Sequence, residues 1–370
     1  MVKICHMTCV HKRYDTRIFL KECCSLAKNG YDVSLIVADG RGDEVKNGVK
    51  IYDVGSNKVS RLERMTRITK LIKNKALSLD CSIYHFHDPE LIFVGLALKK
   101  KGKKVIIDMH EDHPSYIAEA DYIPMSKLVA FLYEKLEVYA VKKFDGIVST
   151  RSVINERLCR YNDNISLVTN FPILLPYKDV VEDNSDFIIA FAGTIEDPWR
   201  HKLIIQALDR LENVKYVLAG PVTDQYLSEL KSLKGWEKVD YRGTISFDEV
   251  CKIYSEASLG VAIYHYCNNM GGKDGNLANT KMFEFMNCGL PFICTDFTLW
   301  KKIVEDEEHC GICVNPYSVE EIITALKFFM DHPQERKEMG IRARHAAETK
   351  YNWSSQEAEL LKMYNRVNET

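Results

Sequence analysis

The sequence lacks the marks of several large protein classes. It has no run of eighteen apolar residues, so no transmembrane helix is predicted. Its first residues have neither the apolar length nor the small-residue cleavage site of a signal peptide. It also has no internal repeat, no low-complexity tract and no basic motif interleaved with aromatic residues, which a nucleic-acid-binding module would show. We therefore expect a cytoplasmic globular protein that does not bind nucleic acid.

Cysteine is a minor component, with twelve residues in a chain of 370. A chain of this size needs no disulfides for stability, and without an export signal the thiols are expected to be reduced. One Cys-x-x-Cys motif occurs at Cys310 and Cys313, but no second pair stands at zinc-ribbon spacing. Buried strand thiols are the preferred interpretation, and we expect no metal ion and no cofactor.

The length of the chain favours two domains, and the charge is divided between its halves. Residues 1–180 contain 29 basic and 22 acidic residues, whereas residues 181–370 contain 21 and 30. The net charges are therefore +7 and −9. This asymmetry indicates different partners for the two halves.

Short β-branched runs alternate with helical stretches along most of the chain. Many of these runs are apolar throughout, which is typical of parallel strands covered on both faces. The pattern predicts an α/β fold with two Rossmann-like, doubly wound parallel sheets, in residues 1–172 and 187–350, joined by a linker at 173–186. A last helix, 354–370, is expected to pack back on the first domain. Such sheets bind ligands at the carboxyl ends of their strands, so a binding cleft between the domains is expected.

The most informative stretch is a glycine-containing loop that leads into a short helix ended by Gly289 and Pro291. A helix N-terminus is a natural anion site. Lys281 and Glu284 are three residues apart and would share one face of that helix. The lysine could hold a diphosphate and the glutamate could accept two ribose hydroxyls. The alternative is an ordinary surface Lys–Glu pair.

Polar residues that follow the strands of the first half form a second candidate group. His110 ends an apolar strand and should point into the cleft, unless it is a structural histidine. Asp15 and Arg17 follow the first strand, where Thr16 could cap the next helix. His85 and His87 alternate along a strand and share one face, for which packing is preferred over a zinc site.

Helix 58–75 is strongly basic, with seven Lys or Arg residues against one acidic residue, Glu63. Either this is a solvated helix face or it contacts an anionic membrane surface that presents a lipid-linked acceptor. In the second case the protein would be peripheral on the inner face of the cytoplasmic membrane.

The stretch Asn-Thr-Lys-Met-Phe-Glu-Phe-Met-Asn-Cys-Gly-Leu-Pro, residues 279–291, resembles the donor-binding helix of glycosyltransferase family 4, a group of retaining enzymes with the GT-B fold. Other segments resemble the same family in the same order, in a form found in bacterial polysaccharide biosynthesis. These segments are residues 6–19, 85–90, 108–112, 168–172 and 191–194.

The resemblance implies that a sugar is moved from a nucleotide diphosphate sugar to a glycan or lipid-linked acceptor with retention of configuration, in cell-surface polysaccharide synthesis. The sequence contains no Asp-x-Asp, the metal-holding motif of GT-A enzymes, so a metal-independent reaction is expected. The residues implied as catalytic are His110, Lys281 and Glu284. Those implied in donor binding are Gly193, Thr194, Arg200, Lys202, Asn276, Leu277, Thr280, Lys281 and Glu284. Those implied on the acceptor side are Asp15, Arg17, His87 and Asp88.

The chain departs from the family pattern at three places. Asn276 replaces the first glutamate of the Glu-x7-Glu motif, His11-Lys12-Arg13 stands where a Gly-Gly pair is common, and Thr194 stands where an arginine is frequent. Two alternatives therefore stay open. One is a nucleotide-sugar epimerase of the same architecture, and the other is a sugar-nucleotide-binding protein without catalysis.

Overall fold

The computed structural model describes residues 1–55, 58–120, 122–176 and 187–369. It divides the chain into two units, of which the first comprises Met1–Asn170 with Trp353–Thr370 and the second Phe171–Asn352. The sequence analysis placed the start of the second domain at 187, whereas the second unit begins at Phe171 and includes the described residues of the predicted linker. Of the predicted linker 173–186, residues 177–186 lie outside the described part of the chain.

The first unit is built on an eight-stranded sheet in the order β3-β4-β2-β1-β5-β6-β7-β8. Neighbouring strands are parallel except β3, which is antiparallel to β4. The central strands are buried on both faces, in agreement with their continuous apolar sequences. The strands are β1 (Lys3–Met7), β2 (Asp32–Val37), β3 (Glu44–Lys46), β4 (Val49–Asp53), β5 (Ile83–Phe86), β6 (Lys104–Met109), β7 (Gly146–Ser149) and β8 (Ile165–Leu167).

Helices cover this sheet. They are α1 (Cys24–Lys28), α2 (Arg61–Glu63), α3 (Thr69–Leu79), α4 (Ile92–Lys99), α5 (His113–Ala118), α6 (Ser126–Val141), α7 (Ser152–Leu158) and α15 (Trp353–Glu369), with π-helical segments at Thr16–Cys23 and Arg64–Ile68 and a 3₁₀ turn at Pro89–Leu91. The helix after β1 is capped by Asp15 and not by Thr16, because the Asp15 carboxylate accepts the backbone N–H groups of Arg17 and Ile18 at 2.8 and 2.9 Å.

The second unit contains a six-stranded, entirely parallel sheet in the order β11-β10-β9-β12-β13-β14. Its strands are β9 (Phe187–Ala192), β10 (Val214–Ala219), β11 (Val239–Gly243), β12 (Leu259–Ala262), β13 (Phe292–Thr295) and β14 (Gly311–Val314). Its helices are α8 (His201–Leu208), α9 (Asp224–Lys231), α10 (Phe247–Glu256), α11 (Lys281–Asn287), α12 (Thr298–Lys301), α13 (Val319–Asp331) and α14 (Pro333–Thr349), with shorter segments at Asp197–Trp199, Lys234–Lys238, Asn268–Met270 and Lys302–Glu307.

The last helix, α15, returns to the first unit, as the sequence predicted. Leu360, Met363 and Val367 are fully buried in the core of that unit. At the start of the helix, the Trp353 indole Nε1–H donates to the Ser25 hydroxyl at 2.8 Å. Helix α15 is therefore an integral part of the first unit. None of the described helices combines the length and the apolar character needed to cross a bilayer.

Candidate functional site

The carboxyl ends of β9 and β10 approach each other unusually closely in the second unit. Gly193 follows β9, and Gly220 follows β10 with a φ of +138°. A Cβ atom on Gly220 would lie 1.8 Å from the Gly193 carbonyl oxygen, so no side chain can be accommodated there. The two glycines let the backbone segments come together at the edge of the sheet where parallel-sheet proteins bind ligands.

Lys281 lies directly over this backbone. A Cβ atom on Gly193 would lie 2.9 Å from the Lys281 Cε atom, so the absence of a side chain at Gly193 makes room for the lysine. The Lys281 ammonium donates to Glu284 Oε2 at 2.6 Å, and the Thr280 hydroxyl donates to Glu284 Oε1 at 2.8 Å. The structure thus forms the predicted pair and places it beside Gly193, which the resemblance also implied in donor binding.

The loop before α11 is held by its own side chains. Asn276 is buried; its side-chain oxygen accepts the Ala278 N–H at 3.0 Å, and its carbonyl oxygen accepts the Trp300 indole N–H at 2.8 Å. Leu277 packs partly buried against the core of the unit. Asn279 accepts the backbone N–H of Lys281 at 3.1 Å, so one amide of the helix N-terminus already has a partner.

The two competing cations, Arg200 and Lys202, lie in different surroundings. Arg200 donates from Nε to the Pro316 carbonyl at 3.1 Å, and its guanidinium lies 5.2 Å from the centre of the Tyr317 ring. Lys202 lines a cavity of about 590 Å³ together with Thr194, and its ammonium pairs with Glu229 at 2.7 Å. The structure therefore brings Lys202, and not Arg200, together with Thr194.

In the first unit, Arg17 and Asp108 form a buried ion pair. Arg17 donates from Nε and Nη2 to the two carboxylate oxygens at 2.8 and 3.0 Å, and from Nη1 to the Val168 carbonyl at 2.9 Å. Burial alone would raise the pKa of Asp108, but the Arg17 guanidinium and the hydrogen bonds from two histidines hold this pKa well below its usual range. Arg17, expected on the acceptor side, is thus an interior residue.

His110 is hydrogen-bonded to the same carboxylate, that of Asp108. Its Nε2 lies 2.9 Å from Asp108 Oδ2, and its backbone carbonyl accepts the Thr150 hydroxyl at 2.9 Å. Because an ionised carboxylate can only accept, Nε2 is the nitrogen that carries the proton in this bond. The ring is 22% exposed, so it presents an edge to solvent at the carboxyl end of β6.

Beside His110 the structure adds a residue that was not among the candidates, His11. The rings of His11 and His110 lie 5.2 Å apart, and His11 Nδ1 pairs with Asp88 at 2.9 Å. Burial lowers the pKa of His11, but the hydrogen bond to Asp88 more than offsets it, so this pKa is raised. His11 follows β1 as His110 follows β6, and parallel strands share one edge, which is the signal that could have identified it.

Two further acceptor-side candidates are buried. The Asp88 carboxylate accepts the Thr8 hydroxyl and the Cys9 N–H at 2.8 and 2.5 Å, so it organises the loop after β1. The side chain of His87 is fully buried and faces Asp108 at 3.1 Å. Neither carries an exposed polar atom toward an acceptor, and Asp15 uses its carboxylate as a helix cap.

Comparison with known proteins agrees with this architecture. The model of Glycosyltransferase Family 4 matches residues 17–171, and a model described as glycosyl transferase-like matches residues 200–362. An uncharacterized glycosyltransferase of Haemophilus influenzae is 24% identical over 348 residues, which are 90% of this chain and 91% of that protein.

Solved structures show the same fold at low sequence identity. A sucrose-phosphate synthase from Thermosynechococcus elongatus has a TM-score of 0.78 at 14% identity, with all of both chains covered. An Anabaena protein in complex with UDP and glucose has a TM-score of 0.70 at 11% identity, covering 99% of this chain and all of that one. A UDP-forming trehalose-phosphate synthase from Burkholderia xenovorans has a TM-score of 0.70 at 13% identity over both full chains.

Two parallel-sheet units with these matches define a glycosyltransferase of the GT-B type. The two family models match most of one unit each, and they confirm the resemblance to glycosyltransferase family 4 that is seen in the sequence.

Proposed function

We propose that the protein moves a sugar from a UDP-sugar to a glycan or lipid-linked acceptor, with retention of configuration, in cell-surface polysaccharide synthesis. The observation that carries this proposal is the placement of Lys281 over the bare backbone of Gly193, with Glu284 one turn further along α11. The structural neighbours that contain or form UDP support the choice of nucleotide.

The donor would be held by charge and by backbone. An ammonium group has three N–H donors, so Lys281 can hold a phosphate oxygen while it remains bonded to Glu284. This cation would stabilise the negative charge that grows on the leaving diphosphate. The remaining acceptor capacity of the Glu284 carboxylate suits the two ribose hydroxyls. Of the other two cations, Lys202 is the better placed for donor binding because it shares a cavity with Thr194.

The reaction would need no protein nucleophile. The acceptor hydroxyl attacks the anomeric carbon from the face that the diphosphate leaves, and the leaving phosphate takes the proton of the hydroxyl. His110 would position the sugar through Nδ1, since its Nε2–H is directed to Asp108. Asn276 acts in this proposal by shaping the loop before α11.

The first unit would bind the acceptor and contact an anionic membrane. Two basic residues of segment 58–75 are neutralised by ion pairs in the structure, since Arg64 pairs with Glu90 at 3.0 Å and Arg67 with Glu63 at 2.6 Å. The same segment exposes apolar side chains, Leu62 at 73% and Met65 at 49%. Charge and apolar surface together suit an interfacial contact.

The donor part of the proposal is tested by calorimetric titration of UDP into the protein with magnesium or with EDTA. The sequence without an Asp-x-Asp motif predicts equal affinity in both buffers. Loss of UDP binding in EDTA would contradict metal-independent donor binding. The membrane part is tested by flotation with anionic vesicles at low salt, in which Lys70→Glu with Lys73→Glu should reduce binding and leave UDP affinity unchanged.

A further inference from the structure

A row of buried side chains lies behind Asp108 in the first unit. His6 comes from β1, His85 from β5, His87 from the residue after β5, and Tyr364 from α15, and all four are buried. With Asp108 they form a hydrogen-bonded row in the order Asp108, His87, His6, Tyr364 and His85. The Asp108–His87 distance is 3.1 Å, His87–His6 is 3.0 Å, His6–Tyr364 is 3.0 Å and Tyr364–His85 is 2.7 Å.

Asp108 fixes the direction of these bonds. Because its ionised carboxylate can only accept, His87 must donate from Nδ1. Burial lowers the pKa of His87 and this shift outweighs the effect of Asp108, so the ring is neutral and has a single N–H. Its Nε2 must then accept, and the donor is His6 Nδ1–H.

The same reasoning continues to the last helix. Burial also keeps the pKa of His6 and of His85 well below the usual range, so both rings are neutral. Since His6 donates from Nδ1, its Nε2 accepts the Tyr364 hydroxyl proton. The Tyr364 oxygen in turn accepts from His85 Nδ1–H. One arrangement of protons therefore satisfies every bond between Asp108 and α15.

We propose that His6, His87 and Tyr364 are positioning residues for His110. They hold Asp108 as an oriented acceptor, and Asp108 holds the His110 ring with Nε2–H inward and Nδ1 toward the substrate. This role rests on the proposed function, in which His110 contacts the transferred sugar. It extends the site from the edge of the sheet to the C-terminal helix, 254 positions away from His110 in the sequence.

A metal ion is the competing explanation of the cluster. Glu22 Oε2 lies 3.9, 3.9 and 4.0 Å from ring nitrogens of His6, His85 and His87, and these four residues have the composition of a metal site. The same three ring nitrogens, however, are each within 3.0 Å of a neighbouring ring or of Tyr364. A metal would have to replace these hydrogen bonds, so the two explanations predict different proton positions.

Long-range ¹H–¹⁵N spectra of the protein labelled on histidine distinguish them without any substrate. The hydrogen-bonded chain predicts the Nδ1–H tautomer for His6 and His87, and Nε2 protonation for His110. Single substitutions His87→Asn and His110→Asn assign the signals. An Nε2–H tautomer at His87, or one equivalent of zinc per chain by elemental analysis, would overturn the proposal.

Hydrolysis of UDP-glucose tests the functional consequence. Tyr364→Phe should lower kcat about fivefold, the equivalent of the neutral hydrogen bond of about 1 kcal/mol that the hydroxyl donates to His6, and leave UDP affinity unchanged. The matched control is Tyr84→Phe, which removes another buried hydroxyl of the same unit, bonded to the Ala76 carbonyl at 2.8 Å. Its kcat should equal that of the wild type, and equal losses in both variants would contradict a positioning role.

A second pair of variants separates the hydrogen bond from the packing. His87→Asn keeps a donor near the position of Nδ1, whereas His87→Leu keeps only bulk. The asparagine variant should retain more of the wild-type kcat, and the loss in the leucine variant should be about ten- to a hundredfold, as expected for a bond to a charged group. If the wild type does not hydrolyse UDP-glucose, the same variants are compared with the UDP-sugar that it does hydrolyse. If it hydrolyses none, the proposed donor class is wrong, and the tautomer spectra still decide whether the hydrogen-bonded row exists.

Discussion

Lys281→Ala is the perturbation that most directly questions the donor site. In the structure the Lys281 side chain is 15% exposed and lies against the backbone of Gly193. A hydrogen bond from such a partly shielded ammonium to a phosphate is worth about 1.5–3 kcal/mol. The Lys281 ammonium can bind the phosphate while it stays bonded to Glu284, so little of this free energy is offset by breaking the Lys281–Glu284 bond. We therefore expect UDP to bind about ten- to a hundredfold more weakly in the variant.

The assay is isothermal calorimetry with UDP and uridine as a matched pair. Lys281→Ala should weaken UDP binding and leave uridine binding nearly unchanged, because only UDP has the diphosphate. Glu284→Ala should weaken both ligands equally, because both have the ribose. Lys252→Ala, which removes an exposed lysine paired with Glu256 at 3.8 Å on α10, is the control and should change neither. Equal losses of UDP and uridine in Lys281→Ala would show that the lysine is an ordinary surface residue.

Four further predictions concern stability. Because the pKa of His11 is raised, its pairing with Asp88 stabilises the fold below the ordinary histidine pKa, and this stabilisation is lost as the pH rises through the raised pKa. The Tm values of the wild type and of His11→Ala should therefore converge at alkaline pH. Asp88, whose pKa is lowered to about 2, contributes stability above its ordinary pKa that is lost as the pH falls toward 2, and Asp88→Asn should flatten this acid limb of the Tm profile. Gly220→Ala should lower the free energy of unfolding by about 3 kcal/mol in chemical denaturation, because its Cβ would lie 1.8 Å from a carbonyl oxygen. The control Gly243→Ala, at positive φ but in open space, should lower it by about 1 kcal/mol. Equal losses would contradict the close approach at Gly220. Deletion of α15 should unfold the first unit and leave UDP affinity of the second unchanged, and a stable first unit by circular dichroism would refute its structural role.

The strands of the fold were largely predictable, because a buried parallel strand is a short, continuous β-branched run. Phe187–Ala192, with the sequence Phe-Ile-Ile-Ala-Phe-Ala, is such a run. The hairpin of Glu44–Lys46 and Val49–Asp53 was missed because its strands are short and partly exposed. Its signal was nevertheless present, since Asn47-Gly48 adopts positive φ at both residues, 52° and 78°, as tight hairpin turns require.

Helical periodicity predicts which residues of the basic segment 58–75 share a face, but not which of them are buried. The 3.6-residue period places the apolar residues of segment 58–75 on one half of the helix; they are Leu62, Met65, Ile68, Leu71 and Ile72. Of these five, only Ile68 and Ile72 are buried, whereas Leu62 and Met65 are exposed. The sequence therefore could not show that part of this half faces solvent.

The candidate site was predicted in part for a similar reason. The Lys281–Glu284 pair follows from local spacing alone, and the strand end locates His110. Position after a strand does not determine the direction of a side chain, however, so Arg17 and Asp88 were expected at the surface and are buried. The hydrogen-bonded row from Asp108 to Tyr364 joins residues far apart in sequence, which meet only because β1, β5 and β6 pair in the sheet and α15 packs in the same core.

The central claim is that this protein cleaves a nucleotide sugar and passes on the sugar with its configuration retained. The most direct measurement is ¹H NMR of the wild-type protein with a panel of UDP-α-sugars, followed over time. We predict slow release of UDP from one member of the panel, with the α-anomer of the free sugar appearing first. Conversion of the donor into an epimer, first appearance of the β-anomer, or UDP binding with no turnover of any donor would contradict the account.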